Sequence, residues 1–452
     1  MFNSFLKSRV GNYTSDELKK FGFLAFIFLF TIAVYWFLRT GKDGVFNTIV
    51  GFKMQPVAKF ASMFFMFPLT VFYGYLVDKF PKHKVFYALS FIYSALAFLF
   101  SFLLSHETLG IANTLADKWR LLGWAYYLFV ESFGSIMVVL FWTYAADITS
   151  PEAGKRWFPF LSFIAQFGQL VGSAINAGYF GSYMIHSKLM ICSIAIIMIA
   201  VLMYIFKKTI PADQLRSYND NVKEVKKEKV STWDSLKLII SQPYLLGVFA
   251  SITIFEIINT LFDFKFKDLV SEEIALKGFT GIEAGEMKTR MMDEWVGSMG
   301  VYAAILAIVS YLFGIGNIGR KLGLTASLVF LPILLIGVSF MIGLSKSIMI
   351  AFTASIIAKG INYVLYQPSK EQLYIPTSKE AKYKSKVFID MFGSRFSKSL
   401  GSGINLIKLY SPLLFPLISL GSSVGLCVLW IMISMYLGKK YNEAVAKNEV
   451  VC

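Results

Sequence analysis

The feature that most limits this chain is its long, nearly uninterrupted apolar blocks, the first running from Gly22 to about Thr40. An apolar stripe every 3.6 residues would mark helices with one face in water, but here apolar residues continue all the way round. A bilayer core about 30 Å thick takes roughly 20 such residues per helical crossing. A membrane barrel would instead alternate polar and apolar positions over strands of about ten residues, and no such alternation occurs. The chain therefore reads as an all-α protein spanning a lipid bilayer. Its charge content agrees: only 16% of the 452 residues are charged, against about 25% in soluble domains.

The blocks fall near 22–40, 56–78, 85–105, 121–148, 157–181 and 188–206, then near 244–262, 296–313, 322–344, 346–368, 387–409 and 411–438. Twelve transmembrane helices in two six-helix halves are expected, with 1–206 as the N-terminal half and 244–452 as the C-terminal half. Residues 207–243 between them form a hydrophilic linker, in which Lys223, Glu224, Lys226, Lys227, Glu228 and Lys229 read as a solvated loop or interfacial helix. A long loop is expected over 263–295.

Short cytoplasmic loops are enriched in Lys and Arg. Lys7, Arg9, Lys19 and Lys20 precede the first block; Lys79, Lys82, Lys84, Lys155 and Arg156 follow the second and fourth. Arg320, Lys321, Lys379, Lys382, Lys384, Lys386, Lys439 and Lys440 fall on the same side if there are twelve spans. Both termini and the linker are thus expected in the cytoplasm. This bias accounts for most of the net charge of +16, which in a soluble protein would suggest nucleic acid; no nucleic-acid partner is expected here. Cys192, Cys427 and Cys452, like His83, His106 and His186, are scattered without metal-ligand spacing, so neither a metal, a cofactor nor an enzyme is expected. The polar first twenty residues lead straight into an apolar block, without the pattern of a cleavable leader.

Six plus six spans joined by a basic loop resemble the major facilitator superfamily. Gly74-Tyr75-Leu76-Val77-Asp78-Lys79, followed by Lys82 and Lys84, is similar to that superfamily's loop signature, and Gly314-Ile315-Gly316 with Arg320 and Lys321 sits where a pseudo-repeat would place its partner.

Charged residues near the bilayer centre cost about 2.5–3.5 kcal/mol each on insertion scales. Arg39, Lys42 and Asp43 close the first block, Lys59 lies one turn into the second, and Glu131 lies in the middle of the fourth. Glu256 and Asn259 share a face of the seventh, ahead of Asp263, Lys265 and Lys267. Lys359 lies within the tenth, and Asp390, Arg395 and Lys398 within the eleventh. Arg39, Lys59 and Lys408 could each snorkel to headgroups. A cavity lined by such lysines and arginines is suited to a multiply charged anion, and nearby Tyr and Trp rings could stack on a nucleobase.

These residues and their flanks are similar to the nucleotide transporter family, the ATP/ADP translocases of plastids and intracellular bacteria. The resemblance rests on Glu17-Leu18-Lys19-Lys20, on Leu38-Arg39-Thr40-Gly41-Lys42-Asp43, and on Glu131-Ser132-Phe133-Gly134-Ser135 through Phe141-Trp142 to Asp147-Ile148-Thr149. It continues with Glu152-Ala153-Gly154-Lys155-Arg156, Lys370-Glu371-Gln372-Leu373-Tyr374, Val387-Phe388-Ile389-Asp390 and Ser397-Lys398-Ser399-Leu400-Gly401. It implies alternating access with exchange of ATP for ADP plus phosphate. Proton-coupled import of nucleotides, or of another phosphorylated anion such as a nucleotide cofactor or sugar phosphate, is the alternative. It also implies that Lys42 and Lys398 hold phosphates, aided by Arg39, Lys59 or Arg395, and that Glu131 pairs with a lysine or gates the empty cavity. A monomer in the cytoplasmic membrane of an intracellular bacterium is expected. One departure stands out: where family members carry Asn-Leu-Val-Glu before a Lys-rich end, this chain has Glu256-Ile257-Ile258-Asn259, with acid and amide exchanged.

Overall fold

In the computed structural model the described residues are Lys7, 10–181, 183–215, 232–281, 283–313, 323–362, 366–374, 376–377, Ile389, 393–447 and 449–451. The charge run at 223–229, the Gly314–Gly316 turn with Arg320 and Lys321, the lysines at 379–386 and Asp390 lie outside them. Every long element described is a helix: α1 (Ser15–Ile49), α2 (Gln55–Lys79), α3 (Lys82–Ser105), α4 (Leu121–Asp147), α5 (Pro151–Asn176) and α6 (Ile185–Thr209) come first. After the short α7 (Thr232–Ser241) follow α8 (Pro243–Leu276), α9 (Ala284–Leu312), α10 (Leu324–Leu344), α11 (Ile348–Ile361), α12 (Gln367–Gln372), α13 (Ser394–Tyr410) and α14 (Phe415–Lys447). Ten of these are long and apolar enough to cross a membrane. The shorter α11 and α13 stand where the sequence places two further spans.

Two boundaries depart from the sequence reading. Helix α1 begins at Ser15 because Thr14 and Glu17 form a capping box, with Thr14 Oγ1 accepting from the Glu17 amide at 3.1 Å and Glu17 Oε2 accepting from the Thr14 amide at 3.4 Å. It then runs through Arg39, Lys42 and Asp43 to Ile49. The expected loop at 263–295 is mostly helix, since α8 continues to Leu276 and α9 starts at Ala284. Its charged side chains Asp263, Lys267, Asp268 and Asp293 pair within the protein, so hydropathy alone cut both helices short.

Packing divides the chain into two compact units: Met1–Phe52, Phe64–Lys227 and Ile274–Ile308 make one, and Lys53–Met63, Glu228–Glu273 and Val309–Cys452 the other. In the first unit, α5 lies against α1 through Gly168, Gly172 and Asn176, spaced four residues apart on one helical face. A β-carbon on Gly168 would stand 2.3 Å from the Leu29 carbonyl oxygen, and one on Gly172 would stand 2.1 Å from that of Ala33. One turn on, Asn176 Nδ2 donates to the Phe37 carbonyl and to Thr40 Oγ1. Small residues allow the backbones to approach, and the amide then closes the seam in a setting where water cannot. Helix α4 packs on α1 by ring stacking, Phe28 on Phe141 at 4.2 Å between centroids.

Helix α9 completes this unit through small and polar residues. A β-carbon on Gly297 would meet the Ala177 amide at 2.7 Å, and one on Gly300 the Ser173 hydroxyl at 2.3 Å, while Gln169 donates to the Gly300 carbonyl at 3.1 Å. Thr289 and Thr48 share a hydrogen bond of 2.9 Å, and Glu286 accepts from the Ile185 amide at 3.1 Å, capping the start of α6. At one end of the unit the basic residues are tied down. Lys82 pairs with Asp147 at 2.6 Å, Arg156 with Glu17 at 2.8 Å, and Lys20 donates to the Ile148 and Gln214 carbonyls.

In the second unit α13 lies along α8 in the same manner. Ser397 donates to Thr253 Oγ1 at 3.1 Å, a β-carbon on Gly401 would stand 3.0 Å from the Ile257 carbonyl oxygen, and Asn405 donates to the Thr260 carbonyl at 3.4 Å. Trp430 of α14 is fully buried, its ring 5.0 Å from that of Tyr366 and 6.0 Å from that of Phe255.

The glycine seam sets a stability test. A methyl at Gly172 meets backbone, which cannot rotate aside, so Gly172→Ala should cost about 1–3 kcal/mol, as overpacking does. Gly425→Ala, where a β-carbon meets nothing within 4 Å, serves as the control. Thermal unfolding of the detergent-purified proteins should show a lowered midpoint for the first alone; equal midpoints would remove the seam from the account.

Candidate functional site

In the first unit the polar site is built where α1 faces α4. Positions 35, 39 and 42 recur on one face of α1, and the half-buried Glu131, Gly134 and Ser135 lie along α4. Lys42 is 5% exposed, and its ammonium sits 3.2 Å from Asp43 Oδ1 and 3.5 Å from Glu131 Oε1. It also lies 4.4 Å from the centroid of the buried Tyr127 ring. The two carboxylates differ in kind. Asp43 is buried, while the Glu131 side chain keeps 36% of its surface accessible. Asp43 is thus an enclosed counter-ion and Glu131 a partly accessible one.

One turn back, Arg39 is half-buried, its guanidinium 4.9 Å above the Trp36 ring and 5.6 Å from the Tyr35 ring. Its Nη1 donates to the Tyr35 hydroxyl at 2.6 Å. These contacts fix the guanidinium against two aromatic side chains of its own helix. The Tyr35 ring occupies a notch at Gly134, where a β-carbon would come within 2.1 Å of it.

The second unit carries its own lysine–carboxylate pairs. Lys398 of α13 stands 3.9 Å from Glu256 Oε2 of α8, and the same carboxylate accepts from Ser394 Oγ at 3.3 Å. The acid exchanged into the α8 motif is therefore the one that meets Lys398, and Asn259 lies half-buried one turn further along. Lys59, at the start of α2, reaches Asp263 at 3.8 Å, and Lys267 reaches the same oxygen at 2.7 Å. Lys408 pairs with Asp268 and, at 3.0 Å, with Glu272. Lys59 and Lys408 thus meet carboxylates where headgroup snorkelling was the other reading. Arg395 is half-buried in the first turn of α13, on a residue next to Ser394, and Lys359 is half-buried near the end of α11.

Sequence reasoning missed a second deeply buried pair. Lys188 of α6 donates to Asp293 Oδ2 of α9 at 3.0 Å, and the two residues are 6% and 0% exposed. Asp293 Oδ1 accepts no hydrogen bond and lies where a β-carbon on Gly44 would come within 2.4 Å. Lys188 sits at the edge of an apolar block, and Asp293 sits among Lys288, Arg290 and Glu294, so both resemble residues of a solvated loop. The available signal was the spacing of Glu286, Thr289, Asp293, Gly297 and Gly300, which marks one face of a helix.

Solved structures of membrane transporters share the fold of this chain. A bacterial homologue of the iron transporter ferroportin, in an inward-facing state, matches with a TM-score of 0.61 at 12% identity, over 93% of this chain and 100% of that one. A nucleoside transporter matches with a TM-score of 0.57 at 13% identity, over 92% and 98%. The model of the TLC ATP/ADP transporter family matches residues 6–441, and the chain belongs to that family. Among curated relatives, ADP,ATP carrier protein 1 of Rickettsia prowazekii (strain Madrid E) is 26% identical over an alignment 485 positions long, covering 96% of this chain and 95% of its own length. ADP,ATP carrier protein 3 of the same organism is 26% identical over 86% of each.

The Lys188–Asp293 pair yields a further test. Removing one member strands a buried charge at about 3–5 kcal/mol, whereas replacing both with apolar residues is often neutral or stabilising. Lys188→Met should therefore lower the unfolding midpoint in detergent more than Lys188→Met with Asp293→Leu does. A double variant that loses the sum of both single losses would show that the pair is not coupled.

Proposed function

We propose that the protein exchanges ATP for ADP plus phosphate across a bacterial cytoplasmic membrane by alternating access. Family membership and the Rickettsia carriers support the substrate class, and the placement of lysines and arginines in the short loops supports cytoplasmic termini.

The observation that carries this reading is the state of the two lysines. Lys42 and Lys398, each within its own unit, face a partly accessible carboxylate at 3.5 and 3.9 Å. These separations exceed the 2.7–3.2 Å typical of a formed N–H···O hydrogen bond. The pairs are electrostatic and loose, with room for a stronger acceptor. A phosphate chain carries more charge and more oxygens than a carboxylate, so it displaces Glu131 from Lys42 and Glu256 from Lys398. In the empty carrier the carboxylates return and compensate the lysines, which favours a resting conformation. The bound nucleotide shifts the balance only by its differential affinity for the two states, and the same sites serve on the return leg with the counter-substrate. The tighter Lys188–Asp293 pair keeps α6 and α9 in register while the loose ones exchange.

The decisive measurement is uptake of labelled ATP by proteoliposomes preloaded with ADP or with buffer. Uptake that requires internal ADP is expected. Lys42→Gln and Lys398→Gln should each reduce it at least about tenfold, the effect of losing one charge-assisted contact of some 1.5–3 kcal/mol. Glu131→Gln and Glu256→Gln should retain nucleotide binding yet slow exchange. Uptake without internal nucleotide, abolished by a protonophore, would replace exchange with proton-coupled import; no uptake of any nucleotide would overturn the reading.

A further inference from the structure

Arg39 stands on the same helical face as Lys42, and two aromatic side chains line it. Lys42 is set between two carboxylates, whereas Arg39 lies over an indole ring and donates to a phenol. Both rings are fixed. A β-carbon on Gly300 would come within 3.4 Å of the Trp36 ring, and Tyr35 fills the notch at Gly134. A guanidinium set against two packed aromatic residues is itself a planar surface, and it remains half-buried rather than enclosed.

We infer that Tyr35, Trp36 and Arg39 form the shelf on which the nucleobase stacks while Lys42 holds the phosphates; this rests on the nucleotide-exchange reading. The geometry along α1 fits the two ends of one ligand. At about 1.5 Å rise per residue, Arg39 and Tyr35 stand roughly 5 and 10 Å from Lys42 along the helix axis. That interval accommodates a ribose and its first phosphate. Stacking on a cationic plane uses the face that every base presents, with aromatic stacking contributing about 1–3 kcal/mol per base and the guanidinium adding a cation–π component. The Tyr35 hydroxyl, already accepting from Arg39, keeps its own proton to offer to a ring nitrogen. The shelf therefore binds the base chiefly as a flat object, and the single hydroxyl donor gives a modest preference among bases.

Arg39→Lys separates the possibilities because it keeps the charge and loses the plane. Binding of ATP and of inorganic tripolyphosphate, which has no base, is measured on the native and variant proteins in detergent. The expected result is ATP binding weakened about tenfold in Arg39→Lys, within the range that loss of stacking gives, with tripolyphosphate binding unchanged. Trp36→Phe, which keeps a smaller ring and guards against misfolding, should give an intermediate loss for ATP alone. Equal loss of both ligands would make Arg39 a phosphate ligand, and unchanged ATP binding would show that no base rests there; either overturns the shelf. A native protein that binds tripolyphosphate but not ATP removes the shelf while leaving an anion carrier, and one that binds neither removes the exchange reading as well.

Discussion

Everything polar in this protein is governed by the cost of placing a charge where water cannot follow. A lone ion in hydrocarbon would be neutralised or expelled, so a buried cation needs a partner, most often a carboxylate here, and the helices must be arranged to bring it there. The pairs form a gradation. Lys188–Asp293 and Lys267–Asp263 are short and largely or partly enclosed, whereas Lys42–Glu131 and Lys398–Glu256 are longer and leave one partner accessible. Enclosed pairs fix positions, since breaking them leaves a charge stranded. Accessible pairs can trade one anion for another. A single physical rule thus yields both the framework and the exchangeable site.

Close helix contact is the second constraint, and the two units meet it in the same way. Gly168, Gly172 and Asn176 on α5 and Ser397, Gly401 and Asn405 on α13 each run down one helix face, small residues first and an amide last. Apolar side chains gain little by leaving lipid for one another, so backbone proximity and interhelical hydrogen bonds supply the association. In the second unit the same seam also brings Glu256 of α8 to Lys398 and Ser394 of α13.

Much of this was legible in the sequence. The apolar blocks announced the helices because the bilayer demands a length and leaves no other backbone solution. Lys42, Glu131, Glu256 and Lys398 stood out because they interrupt apolar text. What remained hidden was pairing across distance. Lys188 and Asp293 were each unremarkable at a block's edge, and only their meeting made them a buried ion pair. The same blindness shortened α8 and α9, whose ends are polar toward protein rather than toward water. The exchanged acid and amide at 256 and 259 were visible as letters, but that Glu256 is the one to face Lys398 depends on how α13 turns against α8.

The first unit includes Ile274–Ile308, a segment made long after the helices it completes. During synthesis, α1, α5 and α6 leave the ribosome with Gln169, the start of α6 and the Lys188 ammonium still lacking their α9 partners. Until α9 arrives, Lys188 has no Asp293 and the groove beside Ser173 is open to lipid. The nascent first half is therefore an unfinished object that the insertion machinery must hold, and its assembly becomes a post-insertion event timed by the second half. Severing the gene between its halves would separate a helix from the unit it completes.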